Sequence, residues 1–200
     1  QDVPEGQSIV EIGRGKGKST VWLARGSEAG KKNEVFSFAS QKETPDTVKV
    51  DSTTDLAEAG IQDILVSRHE AAEDAARRWK GNIGLLWVNT SYEYGDIKRV
   101  IITWQRHLSS NARVAIHGCD QPGTDRVIKE STGSLGNFTY EQSVDTTTVL
   151  AIDGCIHYWI INSEEIGICK YCGRQRNFKR CVRETLETET GRRQAGRNAK

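Results

Sequence analysis

Short apolar runs separated by longer stretches of helical spacing organise the first two thirds of the chain. Residues 8–12 form an apolar run that stops at a cluster of glycines, and residues 35–39 form a second. Residues 61–66, the wholly apolar 83–88 and 113–117 repeat the pattern, so five strands are expected. Residues 18–28, 55–59, 71–79 and 125–130 carry helix-compatible sequence between them. The strongest amphipathic signal is Ile97, Val100, Ile101, Trp104 and Leu108, at i, i+3, i+4, i+7 and i+11. Residues 138–143, 147–152 and 156–161 then read as three strands with no helix between them. Strand–helix alternation followed by strands alone predicts an α/β fold: a doubly wound, mainly parallel sheet with an antiparallel edge. Ligands of such sheets bind beyond the carboxyl ends of the strands, so residues just after each strand are the ones to inspect.

Composition narrows the class. The chain has 200 residues, 36% hydrophobic and 28% charged, with three prolines. That supports one domain with a real core and excludes collagen-like, mucin-like and wholly disordered chains. No apolar run approaches membrane-spanning length. The opening Gln-Asp-Val-Pro-Glu-Gly lacks the basic and apolar regions of a secretory signal, so a cytoplasmic setting is expected. The absence of Met is compatible with numbering that starts within a longer gene product.

The net charge of +1 conceals an asymmetry. Residues 169–200 carry ten Lys or Arg against three Glu, a surplus of +7, which leaves −6 on the rest. The composition shift near residue 165 suggests a domain over residues 1–164 and a short basic, cysteine-containing tail over 165–200. Such a tail suits nucleic acid or an acidic partner, or is simply a solvated end. Five cysteines cannot all pair within one chain. With Cys169, Cys172 and Cys181 close together, reduced thiols or a metal site fit better than disulfides.

The glycine cluster, Glu11-Ile12-Gly13-Arg14-Gly15-Lys16-Gly17-Lys18-Ser19, lies between the first strand and first helix. Glycines there let the backbone turn sharply and approach a ligand closely. A phosphate-binding P-loop needs glycine five positions before Gly17, where Ile12 stands. The dinucleotide fingerprint Gly-x-Gly-x-x-Gly fails by one residue.

The run from Ile9 to Ala24 resembles the first motif of class I S-adenosylmethionine-dependent methyltransferases. It is most similar to the small-molecule O-methyltransferases of sugars and antibiotics, with their cephalosporin-hydroxylase-like relatives. The likeness continues through Glu70-Ala71-Ala72, residues 85–92, Lys98-Arg99, residues 114–117 and Pro122-Gly123, and so covers roughly residues 8 to 152. It implies a Rossmann-like fold and S-adenosylmethionine as cofactor. Glu11, near the cofactor's amino group, would join Gly13, Arg14, Gly15, Gly17 and Ser19 in the loop. Ser40, His69 and Asn89, after the second, third and fourth strands, complete the implied cofactor set.

The chain departs from that family where acids are expected. Ala39 replaces the acid that receives both ribose hydroxyls. Asn89, Thr90, Ser91 and Tyr92 stand in place of Asp-Gly-Asp-His, and His117-Gly118 in place of His-Asp. Hard divalent cations need carboxylate oxygens, so the family's magnesium or calcium site is not expected, although Asp120 lies close by in sequence. For catalysis there remain His117 as general base, with Tyr92 and Asp120 as helpers.

In the tail, Cys169-x-x-Cys172-Gly173 resembles a zinc knuckle, with Cys181 a third ligand and Cys155 or His157 the fourth. The primary reading is O-methylation of a small hydroxylated acceptor. The other is a catalytically degenerate relative, kept as a binding or scaffold protein with a zinc-stabilised basic tail.

Overall fold

Strands with apolar residues on both faces have to be covered on both faces, and that requirement shapes the sheet. The computed structural model describes residues 3–38, 60–68, 70–133, 136–152, 154–155 and 157–179. The chain divides into two units, residues 1–154 and 155–200.

In the first unit the elements run β1 (Ser8–Ile12), α1 (Lys18–Ala29), β2 (Val35–Phe38), β3 (Leu65–Arg68) and α2 (Ala72–Arg78). They continue β4 (Ile83–Val88), α3 (Tyr94–Trp104), β5 (Leu108–His117), α4 (Pro122–Thr132), β6 (Phe138–Val144) and β7 (Thr147–Ile152). The seven strands are ordered β3-β2-β1-β4-β5-β7-β6. Neighbours from β3 to β5 are parallel, and β7 is antiparallel to both β5 and β6. This is the doubly wound, mainly parallel sheet with an antiparallel edge that the sequence leads one to expect.

Alternation along β1 and β2 assigns the two faces. Ile9 and Val35 pack with Ala24 of α1, Ile61 and Ile64 on one face. Phe36 and Phe38 face the other way. Phe36 packs edge-on against Trp79 at 4.7 Å, and Phe38 lies 5.5 Å from Trp104 of α3. Trp104 is fully buried, and Ile97, Val100 and Ile101 of the same helical stripe are buried with it. Leu108 is not part of that stripe: the helix tightens into a 3₁₀ turn over Gln105–His107, and Leu108 begins β5.

Residues 156–161 do not extend the main sheet as an eighth strand. β8 (Trp159–Ile161), β9 (Ile166–Cys169) and β10 (Gln175–Asn177) form a separate antiparallel sheet in the second unit, ordered β10-β9-β8. The composition shift near residue 165 therefore marks a change in charge, while the change in packing falls at 154/155. The expected helix at 55–59 lies outside the described residues, as do Ala39, Ser40, His69 and Cys181.

Candidate functional site

The parallel ladder runs past the last residue of β1 into the glycine loop. Gly13 N–H donates to the Phe38 carbonyl at 2.9 Å, and Asn89 N–H donates to the Ile12 carbonyl at 2.8 Å. The loops after β1 and β4 and the last residue of β2 are thereby clamped together at the carboxyl edge of the sheet. Gly13 has φ +90°, and a Cβ there would fall 1.9 Å from the Asn89 carbonyl oxygen. Only glycine lets the two loops meet.

Beyond Gly13 the chain turns back, with Gly17 N–H donating to the Arg14 carbonyl at 3.0 Å, and Gly17 caps α1 at φ +83°. Gly17 has no side chain with which to cap the helix. Gly15, at φ +53°, is exposed, and a Cβ built there meets nothing within 4 Å. A side chain at the crest of the loop would therefore project into open space.

Beneath the loop lies a buried polar network. The Cα register sets Glu11 beside Ser37, on the face that α1 covers. Ser19 Oγ donates to Glu11 Oε1 at 2.5 Å, while Thr20 Oγ1 and Ser37 Oγ donate to Oε2 at 2.6 and 2.5 Å. Arg14 donates from Nε to Ser37 Oγ at 3.1 Å and to the carbonyls of Ser37 (2.7 Å) and Arg68 (3.3 Å). Burial pushes the Glu11 carboxyl above the usual carboxylate range, against the pull of the three hydroxyls and of Arg14. Glu11 is 0% exposed and Arg14 2%. Both side chains are enclosed by protein, so neither lies open to a ligand in this conformation.

At the end of β5, His117 Nδ1 lies 3.2 Å from Thr147 Oγ1 and 3.3 Å from Thr146 Oγ1. Thr147 is the register partner of His117 in the antiparallel β5–β7 pair. The ring of Tyr92 stands 6.3 Å from that of His117 and lies over Gly118, which has φ +76°. Asn89 and Tyr92 sit on one loop and His117 and Gly118 on the next, so contacts link the loops after β1, β4 and β5. Asp120 is exposed and accepts a hydrogen bond from Gln121 Nε2 at 3.1 Å. Ser91 donates to Asp96, the first-turn acid of α3.

Sequence reasoning missed Ser37, Thr20, Thr146 and Thr147. Ser37 carried a signal: it is the one polar residue in the apolar strand Val35–Phe38, at a position that points inward. Thr146 and Thr147 become visible only once the pairing of β5 with β7 is known.

A second cluster lies in the C-terminal unit. One ligand atom each from Cys155, His157, Cys169 and Cys172 lies within 4.8 Å of all the others. Burial and the two neighbouring thiols push the Cys155 thiol up to about 12. Cys169 goes the other way: burial opposes ionisation, but N–H donors led by that of Cys172, and the His157 side chain, bring it down to about 5.

A family model described as a methyltransferase domain matches residues 10–119. Several solved structures are similar. The O-methyltransferase TomG from Streptomyces achromogenes, involved in tomaymycin synthesis and solved with SAM, is 19% identical with a TM-score of 0.56, over 73% of this chain and 73% of that one. An O-methyltransferase from Bacillus cereus, solved with SAH, is 15% identical with a TM-score of 0.57, over 73% of each chain. An rRNA methylase from Streptococcus thermophilus is 20% identical with a TM-score of 0.55, over 75% of this chain and 89% of that one. At these identities the likeness is one of fold. No curated protein sequence matches the chain.

Proposed function

Because the chain belongs to the methyltransferase-domain family, we propose that it moves a methyl group from S-adenosylmethionine to a hydroxyl of a small molecule such as a sugar or natural product. The observation that carries this reading is the loop between β1 and α1, left-handed at Gly13, Gly15 and Gly17, with open space over Gly15. A cradle that a Cβ would fill suits a ligand drawn close against backbone. Gly13, Gly15, Gly17 and the uncapped first turn of α1 would hold the methionine part, and the Asn89 loop would border it. Bound there, the cofactor supplies an electrophilic methyl group on sulfonium.

The chain's own residues do the rest. Glu11 and Arg14 serve as a brace: joined through Ser37, they pin α1 and β2 to the loop and fix its shape. His117 is the base. With its proton on Nδ1 and donated to Thr146 or Thr147, Nε2 keeps a lone pair that can accept the acceptor's hydroxyl proton. Tyr92 is a wall of the acceptor side, next to His117. Asp120, at the surface on the same loop, helps bind the acceptor.

Titration of the full chain with S-adenosylmethionine and with S-adenosylhomocysteine, followed by calorimetry, tests the reading. Saturable binding below millimolar concentration, lost in Gly15→Val, is the expected result. Absence of binding at millimolar ligand by a folded chain would overturn it.

A further inference from the structure

We propose that Cys155, His157, Cys169 and Cys172 bind one zinc ion as a structural site that holds the C-terminal unit together. The argument is independent of methyl transfer. It starts from how little the unit buries: among its described residues only Gly167 and Cys169 are buried. Three strands of three to four residues cannot form a hydrophobic core sufficient for stability, and domains this small need a covalent or metal staple.

The geometry supplies the staple. Tetrahedral zinc with Zn–S near 2.3 Å and Zn–N near 2.0–2.1 Å sets ligand atoms about 3.8 Å apart for sulfur–sulfur edges and roughly 3.5 Å for sulfur–nitrogen edges. Here Cys155 Sγ and Cys169 Sγ are 3.9 Å apart, and Cys172 Sγ and His157 Nδ1 are 3.4 Å apart. All four atoms lie within 4.8 Å of one another, close enough to share one ion. Three thiolates and one imidazole form an ordinary structural zinc set, and four protein ligands leave no open position for substrate.

The backbone around the cluster is shaped for it. Cys169 and Cys172 flank a tight turn, in which Gly173 N–H donates to the Cys169 carbonyl at 2.9 Å with Gly173 at φ +70°. Tyr171 N–H points at Cys169 Sγ from 3.4 Å, a bond that stabilises sulfur as thiolate. Lys170 N–H donates to the Tyr158 carbonyl at 2.8 Å, bringing the segment that bears His157 alongside the turn. Trp159 stacks on the His157 ring at 4.7 Å and orients it. Arg174 Nη1 stands 3.4 Å from His157 Nε2. Zinc on Nδ1 places the imidazole proton on Nε2, so the exposed Arg174 side chain turns aside when metal binds.

Cys181, a ligand expected from the sequence, lies outside the described residues; in the proposed set His157, the alternative fourth ligand, joins Cys155, Cys169 and Cys172. Cys119 lies in the other unit and serves as a control thiol.

Elemental analysis of the full chain purified under reducing conditions should find about one zinc per chain. Cobalt substitution should give the d–d bands of a tetrahedral ion and thiolate-to-metal charge transfer corresponding to three sulfurs. The cobalt readout uses the unaltered chain, so it stands even where a ligand variant fails to fold. His157→Ala and Cys172→Ser should each drop the zinc content to near zero, whereas Cys181→Ser and Cys119→Ser should keep it. The site is overturned by a chain that stays metal-free after zinc loading and dialysis, or by a Cys155–Cys169 disulfide in its place. Loss of zinc in Cys181→Ser, or its retention in His157→Ala, overturns the ligand set.

Discussion

Tyr92 and Gly118 share one space: a Cβ on Gly118 would stand 2.4 Å from Cε1 of the Tyr92 ring. In the resembled family an acid follows the strand-end histidine, and here an aromatic ring fills the room such a side chain would need. Gly118 also sits at φ +76°, where a Cβ costs roughly 1–2 kcal/mol. Gly118→Ala should therefore destabilise the fold by about 2–4 kcal/mol through strain and overlap together. Placed in Tyr92→Ala, the same change should cost only the backbone part, about 1–2 kcal/mol. Urea unfolding of the double-mutant cycle measures the difference, and equal costs in both backgrounds would deny the overlap.

Two glycines of one loop should fail in different ways. Gly13→Ala drives a Cβ to within 1.9 Å of the Asn89 carbonyl, so the loops after β1 and β4 must part, at a cost of about 3 kcal/mol or more. Gly15→Ala meets no atom within 4 Å, so it should cost only about 1–2 kcal/mol of backbone strain while weakening S-adenosylmethionine binding. Unfolding and binding measured on both variants separate a residue needed by the fold from one needed by the ligand.

The layered sheet was legible because both of its periods stand in the sequence. The strand at 83–88 is apolar throughout, and the α3 stripe from Ile97 to Trp104 recurs on one helical face. The end of that stripe was not legible, because Leu108 continues the spacing and nothing local reports that the chain tightens at Gln105. The loop glycines were legible as a motif. What lies beneath them was not, since Ser37 comes beside Glu11 only through strand register. In the same way, His157, one of two candidate fourth ligands in the sequence, is brought beside Cys172 only by the fold.

Glu11 should leave a mark on the pH dependence of stability. Burial raises its folded value above the 4.5 of a free carboxyl, so at low pH both states hold the proton and its contribution is complete. As pH rises through 4.5 and then through the higher folded value, the unfolded chain releases its proton first and the fold loses that contribution. Glu11→Gln has no proton to lose. Its urea midpoint should therefore fall less than that of the unaltered chain as pH rises above 4.5.

Glu130 predicts the opposite limb. Some burial works against its charge, but donation from Lys98 Nζ at 2.8 Å, Tyr94 OH at 2.7 Å and Arg126 Nε at 3.1 Å brings it down to about 2. The contribution is present above 4.5 and disappears as pH falls from there toward about 2. The carboxylate's side chain is 40% exposed, so water screens it and the effect should stay within about 1 kcal/mol. Glu130→Gln should lower stability at neutral pH by about that amount and remove the matching fall on the acid side.

His117 is held by two hydroxyls rather than one, and that redundancy is testable. His117→Ala should lower kcat by about a hundredfold or more and leave the dissociation constant for S-adenosylmethionine unchanged. Thr147→Val keeps a β-branched shape in β7 and removes one partner of Nδ1, while Thr146 Oγ1 remains 3.3 Å away. Either threonine variant alone should thus cost less than about tenfold in kcat, because the remaining hydroxyl still fixes the tautomer that leaves Nε2 basic. Removing both should cost more than the product of the single effects, since nothing then selects the Nδ1 proton. If the two losses simply multiply, the hydroxyls support the strand pair and not the base.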